Sequence, residues 1–264
     1  MGRYVKRDQR TTWRTTVVLG TAAAAVVAVT MLAPTADAIA NGTPAAHGQF
    51  GFAVKLTMTG IPRPDGTRYD SACSAALIAP QWIVTAGHCF HDVNRNPVSG
   101  VVPYPTTATV GKADLSDAGG HVVAVTRVVQ ASSGDVALAK LAVAVRDVAP
   151  LAVGTSAPVV GEMVTLAGWG ATDSVNPTPS SHLNYGVFRI ARVASTTALV
   201  DGYAPRADTS ACMYDSGAPY FAVSASGAPQ LVSVESGGPD CPHTGDETTS
   251  RTDRLAGWIK ATAR

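Results

Sequence analysis

Hydrophobic residues along this chain come in short bursts rather than in long periodic stretches. Phe52-Ala53-Val54-Lys55-Leu56, Ala75-Ala76-Leu77-Ile78, Trp82-Ile83-Val84-Thr85, Val122-Val123-Ala124-Val125 and Met163-Val164-Thr165-Leu166 are rich in β-branched or apolar residues. Clusters of Gly, Pro, Asn and Asp punctuate them, so each burst predicts a short strand between turns. The 17 prolines and 25 glycines fit many tight turns better than long helices. One late stretch differs. Thr252-Asp253-Arg254-Leu255-Ala256-Gly257-Trp258-Ile259-Lys260 spaces its apolar residues three to four apart behind a capping-type Thr or Asp, which predicts a terminal helix. Taken alone, the pattern describes an all-β barrel or sandwich.

The first 38 residues stand apart from this pattern. Arg3, Lys6, Arg7, Arg10 and Arg14 form a basic head, residues 17–32 are uncharged and rich in Ala and Val, and Ala36-Asp37-Ala38 offers small residues where a signal peptidase inspects the chain. A membrane-spanning helix needs about 20 apolar residues, more than this run supplies. Residues 1–38 are therefore expected to be a signal peptide, and the remainder a secreted, extracellular protein with no membrane attachment after cleavage. The whole chain carries 20 basic and 19 acidic side chains. Five of the basic and two of the acidic ones lie in the leader, so the rest is close to neutral and slightly acidic. No basic stripe survives to bind nucleic acid. All four cysteines follow the leader; export favours their pairing, and four cysteines allow three connectivities.

Three segments carry candidate chemistry: Thr85-Ala86-Gly87-His88-Cys89, Gly134-Asp135-Val136-Ala137-Leu138 and Cys212-Met213-Tyr214-Asp215-Ser216-Gly217-Ala218-Pro219. Each offers one member of a relay. A serine hydroxyl is a poor nucleophile until an imidazole can take its proton, and a carboxylate behind the ring fixes its tautomer and stabilises the imidazolium. The order His, Asp, Ser, with small residues packed around the His and the Ser, resembles the chymotrypsin/trypsin family of serine proteases. The other five histidines, His47, His91, His121, His182 and His243, lack such a context and read as ordinary surface or core residues.

The resemblance spans the chain from Ile39 to the final helix, and it implies an all-β fold of two six-stranded antiparallel β-barrels with a C-terminal α-helix. A boundary near residues 148–151 would give an N-terminal barrel over 39–150, bearing His88 and Asp135, and a C-terminal barrel with the helix over 151–264, bearing Ser216. It implies the disulfides Cys73–Cys89 and Cys212–Cys241. It makes His88 the base, Asp135 its orienting carboxylate and Ser216 the nucleophile. The N–H groups of Tyr214 and Ser216 would form the oxyanion hole, and the amine of Ile39, freed by cleavage after Ala38, would pair with Asp215. Ser210, Ser236 and Gly238 would bind substrate. A neutral Ser210, where trypsin-like members carry Asp, points to a shallow neutral pocket and away from trypsin-like specificity. The expected partner is a protein or peptide substrate met by a monomer, and neither cofactor nor metal is implied.

The sequence departs from the family pattern Cys-x-Gly-Asp-Ser-Gly-Gly-Pro at Tyr214 and Ala218, and Gly237 replaces a Trp in the family's Ser-Trp-Gly strand. Tyr214 matters most, because glycine tolerates backbone conformations that a residue with a Cβ does not. Two outcomes are open: Tyr214 holds the glycine conformation under strain, or the peptide flips and one oxyanion donor is lost. The leading reading is a secreted serine endopeptidase. A pseudoprotease that binds without cleaving is the alternative, and a purely structural secreted β protein is the remaining class.

Overall fold

The computed structural model describes residues 1–3, 38–224 and 227–264. The expected signal peptide lies almost entirely outside the described residues. From residue 38 onward the short hydrophobic bursts become strands that close into two six-stranded antiparallel barrels.

The first barrel runs Ala53–Pro62, Arg68–Ala79, Trp82–Thr85, Ala137–Leu141, His121–Gln130 and Thr106–Val110, and the last strand pairs back with the first. Trp82–Thr85 is buried at every position. It lies between two neighbours, with Ile83 opposite Leu77 on one side and Ala139 on the other. A strand with no exposed face reads as a continuous apolar run, which is why Trp82-Ile83-Val84 is plain in the sequence. Leu56, Leu77, Ile83, Leu138 and Leu141 fill the interior and are fully buried. Each such side chain contributes about 1.5–3 kcal/mol relative to leaving it exposed.

The second barrel runs Met163–Gly168, Pro219–Val223, Pro229–Gly237, Glu247–Arg251, Thr197–Ala204 and Asn184–Val193, and closes back onto Met163–Gly168. Along Asn184–Val193 the buried positions alternate: Asn184, Gly186, Phe188 and Ile190 point in, while Arg189 points out. Val164, Leu166, Phe188 and Tyr220 form its core together with Ile39.

Two connections cross the boundary that the sequence places near 150. Thr43 and Pro44 pair with Tyr185 and Asn184 of the second barrel's sheet. At the other end of the chain, Leu255 and Ile259 join the cluster that contains the first barrel's core. The terminal helix begins with a 3₁₀ turn at Asp253–Leu255 and continues as an α-helix over Ala256–Thr262. Neither capping-type residue caps it. The Thr252 hydroxyl donates to the Val232 carbonyl, and the Asp253 carboxylate holds the Arg251 guanidinium at 2.7 and 3.0 Å.

Candidate active site

Asp135 lies two residues before strand Ala137–Leu141, and its own N–H is fixed by the Ser250 hydroxyl of the second barrel at 3.1 Å. His88 sits in the 3₁₀ turn Gly87–Cys89, directly after the buried strand Trp82–Thr85. Strand pairing of Thr85 with Ala137 therefore brings the two segments together. The Asp135 carboxylate then grips His88 twice: Oδ1 accepts the His88 backbone N–H at 2.8 Å, and Oδ2 lies 2.7 Å from Nδ1. An ionised carboxylate only accepts, so Nδ1 carries the hydrogen and Nε2 is left free on the opposite side of the ring. Gly87 permits this approach, because a Cβ there would meet Asp135 Oδ1 at 3.0 Å and Gln130 Oε1 at 2.6 Å.

The Ser236 hydroxyl donates to the same Asp135 Oδ2 at 2.5 Å. Burial works against the Asp135 charge, but the bonds from His88 and Ser236 outweigh it and hold the carboxyl below its ordinary value. Ser236, expected to bind substrate, thus faces the carboxylate with its side chain.

Histidine–aspartate pairing is not rare in this molecule. His47 lies 2.9 Å from Asp117, His121 2.7 Å from Asp147, and His182 3.0 Å from Asp114. What distinguishes His88 is its surroundings. It lines a cavity of about 500 Å³ together with Tyr214 and Ser216. The Ser216 carbonyl accepts the Ser74 N–H at 2.9 Å, which ties the serine's backbone to the first barrel beside Cys73. Disulfides join Cys73 to Cys89 and Cys212 to Cys241, one bridge behind His88 and the other ahead of Ser216. Among the described residues no hydrogen bond joins the Ser216 hydroxyl to the His88 ring.

Ser216 is carried by two consecutive tight turns. Asp215 N–H returns to the Cys212 carbonyl at 3.0 Å, and Ala218 N–H to the Asp215 carbonyl at 2.8 Å. Such turns favour a left-handed residue at their third position, and here those residues are Tyr214 at φ 76° and Gly217 at φ 83°. Gly217 has a second reason to be glycine: a Cβ would meet Thr85 Oγ1 at 2.1 Å. Tyr214 has no such excuse. Of the two outcomes open from the sequence, the chain takes the strained one, at about 1–3 kcal/mol. The Ser74 hydroxyl donates to the Tyr214 carbonyl at 3.2 Å, and the Tyr214 hydroxyl to the Pro177 carbonyl at 3.3 Å, so both ends of the residue are tied down. The N–H groups of Tyr214 and Ser216 have no acceptor among the described residues. Ala218, the other departure, is fully buried in the second barrel's core without positive φ.

Tyr214→Gly is expected to raise stability by about 1 kcal/mol, because glycine meets no steric penalty in this conformation. The gain is smaller than the full strain because the bond to Pro177 is lost. Thermal unfolding of the two proteins checks it; a lower melting temperature for the variant would show that the tether matters more than the torsion.

A second cavity, of about 240 Å³, opens on the other side of Ser216 and is lined by the Cys212–Cys241 bridge, Gly237 and Gly238. The sequence places a neutral pocket at Ser210. Ser210 is buried outside the lining, its N–H on the Ala40 carbonyl at 3.1 Å and its hydroxyl accepting the His243 N–H at 3.3 Å. The lining instead contains two buried acids, Glu235 and Glu247. Glu235 Oε2 accepts from the Tyr220 hydroxyl at 2.8 Å, and Glu247 Oε1 accepts the Ala211 N–H at 2.7 Å. Their other oxygens, Glu235 Oε1 and Glu247 Oε2, have no hydrogen-bond partner. His243 Nε2 lies 3.0 Å from Glu247 Oε1, near enough for attraction but without hydrogen-bond geometry.

Burial pushes Glu235 up to about 8, and the neighbouring Asp215 charge adds to it. Burial pushes Glu247 up to about 9, with Glu235 and Asp215 adding to it. Burial likewise pushes the His243 imidazole toward its neutral form. Neither glutamate stands out in the sequence: Glu235 lies within the strand whose Ser236 carries the resemblance, and Glu247 opens a separate strand, Glu247–Arg251.

Behind the serine, Asp215 is fully buried. Its carboxylate accepts the N–H groups of Gly170 at 2.8 Å and Cys212 at 3.0 Å, and also the backbone N–H of Ile39. Burial nevertheless raises it to about 7.

Residues 39–259 match the family model described as Trypsin. Transmembrane protease serine 9 of Rattus norvegicus is 27% identical over 244 residues, covering 84% of this chain and 21% of that protein. The chain thus spans about a fifth of that relative's length, 21%.

Proposed function

The chain belongs to the trypsin family, and from that premise we propose that it is a secreted serine endopeptidase working through an acyl-enzyme. The observation that carries the reading is the doubly held His88–Asp135 pair opening into the same cavity as Ser216. Ser216 Oγ attacks the substrate carbonyl as His88 Nε2 takes its proton. The oxyanion that forms accepts the N–H groups of Tyr214 and Ser216, each worth about 2.7–4 kcal/mol in related sites. The imidazolium, stabilised by Asp135, then returns the proton to the departing amine. A water repeats the sequence on the acyl-enzyme, and the carboxylic acid product leaves with Ser216 restored.

The lack of a bond between Ser216 and His88 favours a second reading, a pseudoprotease that binds peptides without cleaving them. Catalytic hydrogen bonds often tighten only once substrate is bound, so the enzyme is preferred. Incubation with a sulfonyl fluoride or an organophosphonate decides: covalent modification at Ser216 is expected, and an unmodified protein would leave the binding role.

We take the cavity lined by Glu235 and Glu247, rather than a pocket at Ser210, as the basis for acyl-side specificity. Strand Pro229–Gly237 would align the substrate backbone by added-strand pairing and direct the side chain before the scissile bond into this cavity. Glu235 Oε1 and Glu247 Oε2 are sealed from the cavity and lack partners; a cationic side chain there, met by a small turn of either carboxyl, would supply one, and a charge-assisted bond of this kind is worth about 1.5–3 kcal/mol. Arg and Lys esters should be hydrolysed faster than Ala, Val or Phe esters. Because both acids are held protonated by burial, the cation binds with proton release. The preference should therefore grow as pH rises, because burial holds both carboxyls above the ordinary carboxylate range. Glu247→Gln should cut the preference by roughly ten- to a hundredfold. Faster hydrolysis of Ala or Val esters at every pH would restore the neutral pocket.

A further inference from the structure

Met213, Tyr214 and Ser216 line both cavities, so the serine stands on the wall between them. If the acyl side of a substrate fills the acid-lined cavity, the leaving side must run into the larger one, whose far wall belongs to the first barrel. That wall carries Arg63, Tyr69, Asp70 and Arg95. The Arg63 guanidinium lies 4.4 Å from the Tyr69 ring centroid and that of Arg95 5.6 Å from the same ring. One aromatic ring thus holds two cations beside the scissile position, an arrangement that cation–π attraction supports.

Neither guanidinium makes an ion pair among the described residues. Arg63 reaches only the Thr67 hydroxyl, at 3.5 Å, and Arg95 only His91 Nε2, at 3.4 Å. The three carboxylates nearby already accept hydrogen bonds: Asp65 from Thr67 at 2.7 and 2.9 Å, Asp70 from the Gly60 N–H of the neighbouring strand at 2.9 Å, and Asp92 from the Asn94 and Asn96 N–H groups at 2.8 and 2.9 Å; of the three, Asp65 still attracts Arg63. Asp70 shares the lining and works against an anion there. Arg95 itself sits at φ 68° in the turn that Asp92 organises. Asn is the residue that tolerates this conformation, and Asn94 and Asn96 flank it, yet the chain places an arginine at the left-handed position. The turn thus places in the cavity lining a long cation beside Tyr69, where a smaller residue would cost less strain.

We propose that this wall is a leaving-side subsite for acidic residues, with Arg63 and Arg95 as specificity determinants for Asp or Glu one to three positions after the scissile bond. The inference rests on the peptidase reading for its orientation. Guanidinium suits the role because its planar fork matches a carboxylate bidentately and stacks on an aromatic face at the same time.

The test measures binding to the Ser216→Ala protein of paired peptides that span both cavities, differing only in Glu or Gln at these positions. The Glu peptide should bind about tenfold more tightly at low ionic strength, and the difference should shrink in ~1 M salt, where screening acts within about 3 Å. In the same background Arg63→Ala and Arg95→Ala should each reduce the ratio and together bring it to unity, while Arg63→Lys retains part of it. Equal binding of the Glu and Gln peptides to the Ser216→Ala protein overturns the subsite, whatever the arginine variants do. Hydrolysis of a simple ester by the unmodified protein is measured alongside. Its small alcohol leaves the second cavity empty, so it reports on the peptidase reading alone.

Discussion

Replacing Ser216 by Ala should lower ester and peptide hydrolysis by on the order of 10⁶-fold, and His88→Ala should do nearly the same. The double variant should be no slower than either single one. In the proposed mechanism the hydroxyl and the imidazole act as one unit: without the ring the hydroxyl keeps its proton, and without the hydroxyl the ring has nothing to activate. What survives is the rate that the two free N–H groups and substrate binding supply by themselves, about 10³–10⁴ over water. Asp135→Asn should cost about 10⁴-fold, for a reason visible in its contacts. One carboxylate oxygen accepts the His88 N–H, and the other accepts from both Nδ1 and the Ser236 hydroxyl. An amide offers one oxygen for these three donors, so the ring loses either its position or its tautomer. Initial rates on an ester, with the fold of each variant checked by thermal unfolding, provide the measurement. A Ser216→Ala protein within tenfold of its parent would remove the nucleophile from the mechanism.

The parts of the site that were legible in the sequence are those where one residue type has a single job. The Gly87-His88-Cys89 turn needs a glycine to admit Asp135, a histidine to bond it and a cysteine to bridge, so the motif is dense and readable. The strands of the first barrel announced themselves where both faces are buried, as at Trp82–Thr85. Asn184–Val193 was harder, because its inward positions include Asn184 and Gly186, which break the apolar alternation. The cavity lined by the Cys212–Cys241 bridge was less legible, for a physical reason. Ser210 occupies the position with a known role in relatives, while the buried acids of the cavity are Glu235 and Glu247, which the folding of two separate strands, Pro229–Gly237 and Glu247–Arg251, brings to one wall. Nothing in the spacing of those two residues says that they meet. Tyr214 was the opposite case: the sequence posed the question sharply, and only the backbone torsion could answer it.

A protein beginning at Ile39 should be both more stable and far more active than one in which residues precede it. In the uncleaved chain Asp215 is buried, its carboxyl pushed up to about 7 by desolvation, with only amide N–H groups to hold it. A carboxyl raised in the folded state binds a proton that the unfolded chain releases. Stability therefore falls as pH climbs from the ordinary value of 3.8 toward about 7. Scission after Ala38 turns the Ile39 amide, already bonded to this carboxylate, into an ammonium. The pair then forms without a search: Asp215 is drawn down, and the amine is drawn above its usual 7.7–8.0 or so. The stabilisation from the amine is complete below its unfolded value and is lost as pH rises through the folded one.

Scission also relieves strain. Ile39 stands at φ 59°, a conformation that β-branched residues seldom adopt, and the torsion is defined by the Ala38 carbonyl that cleavage removes. At pH 8 the Ile39-terminated protein should melt higher than one with a single added Ala, and the gap should narrow toward pH 5. Asp215→Asn leaves a buried ammonium without its partner, which costs about 3–5 kcal/mol. Since Asp215 immediately precedes Ser216 and closes the turn through Tyr214, that loss should lower turnover by roughly two to three orders of magnitude. Carbamylation of the Ile39 amine should act in the same direction. A secreted protein whose first residue is not Ile39, or an Ala-extended protein equal to it in melting temperature and rate, would separate the buried aspartate from maturation.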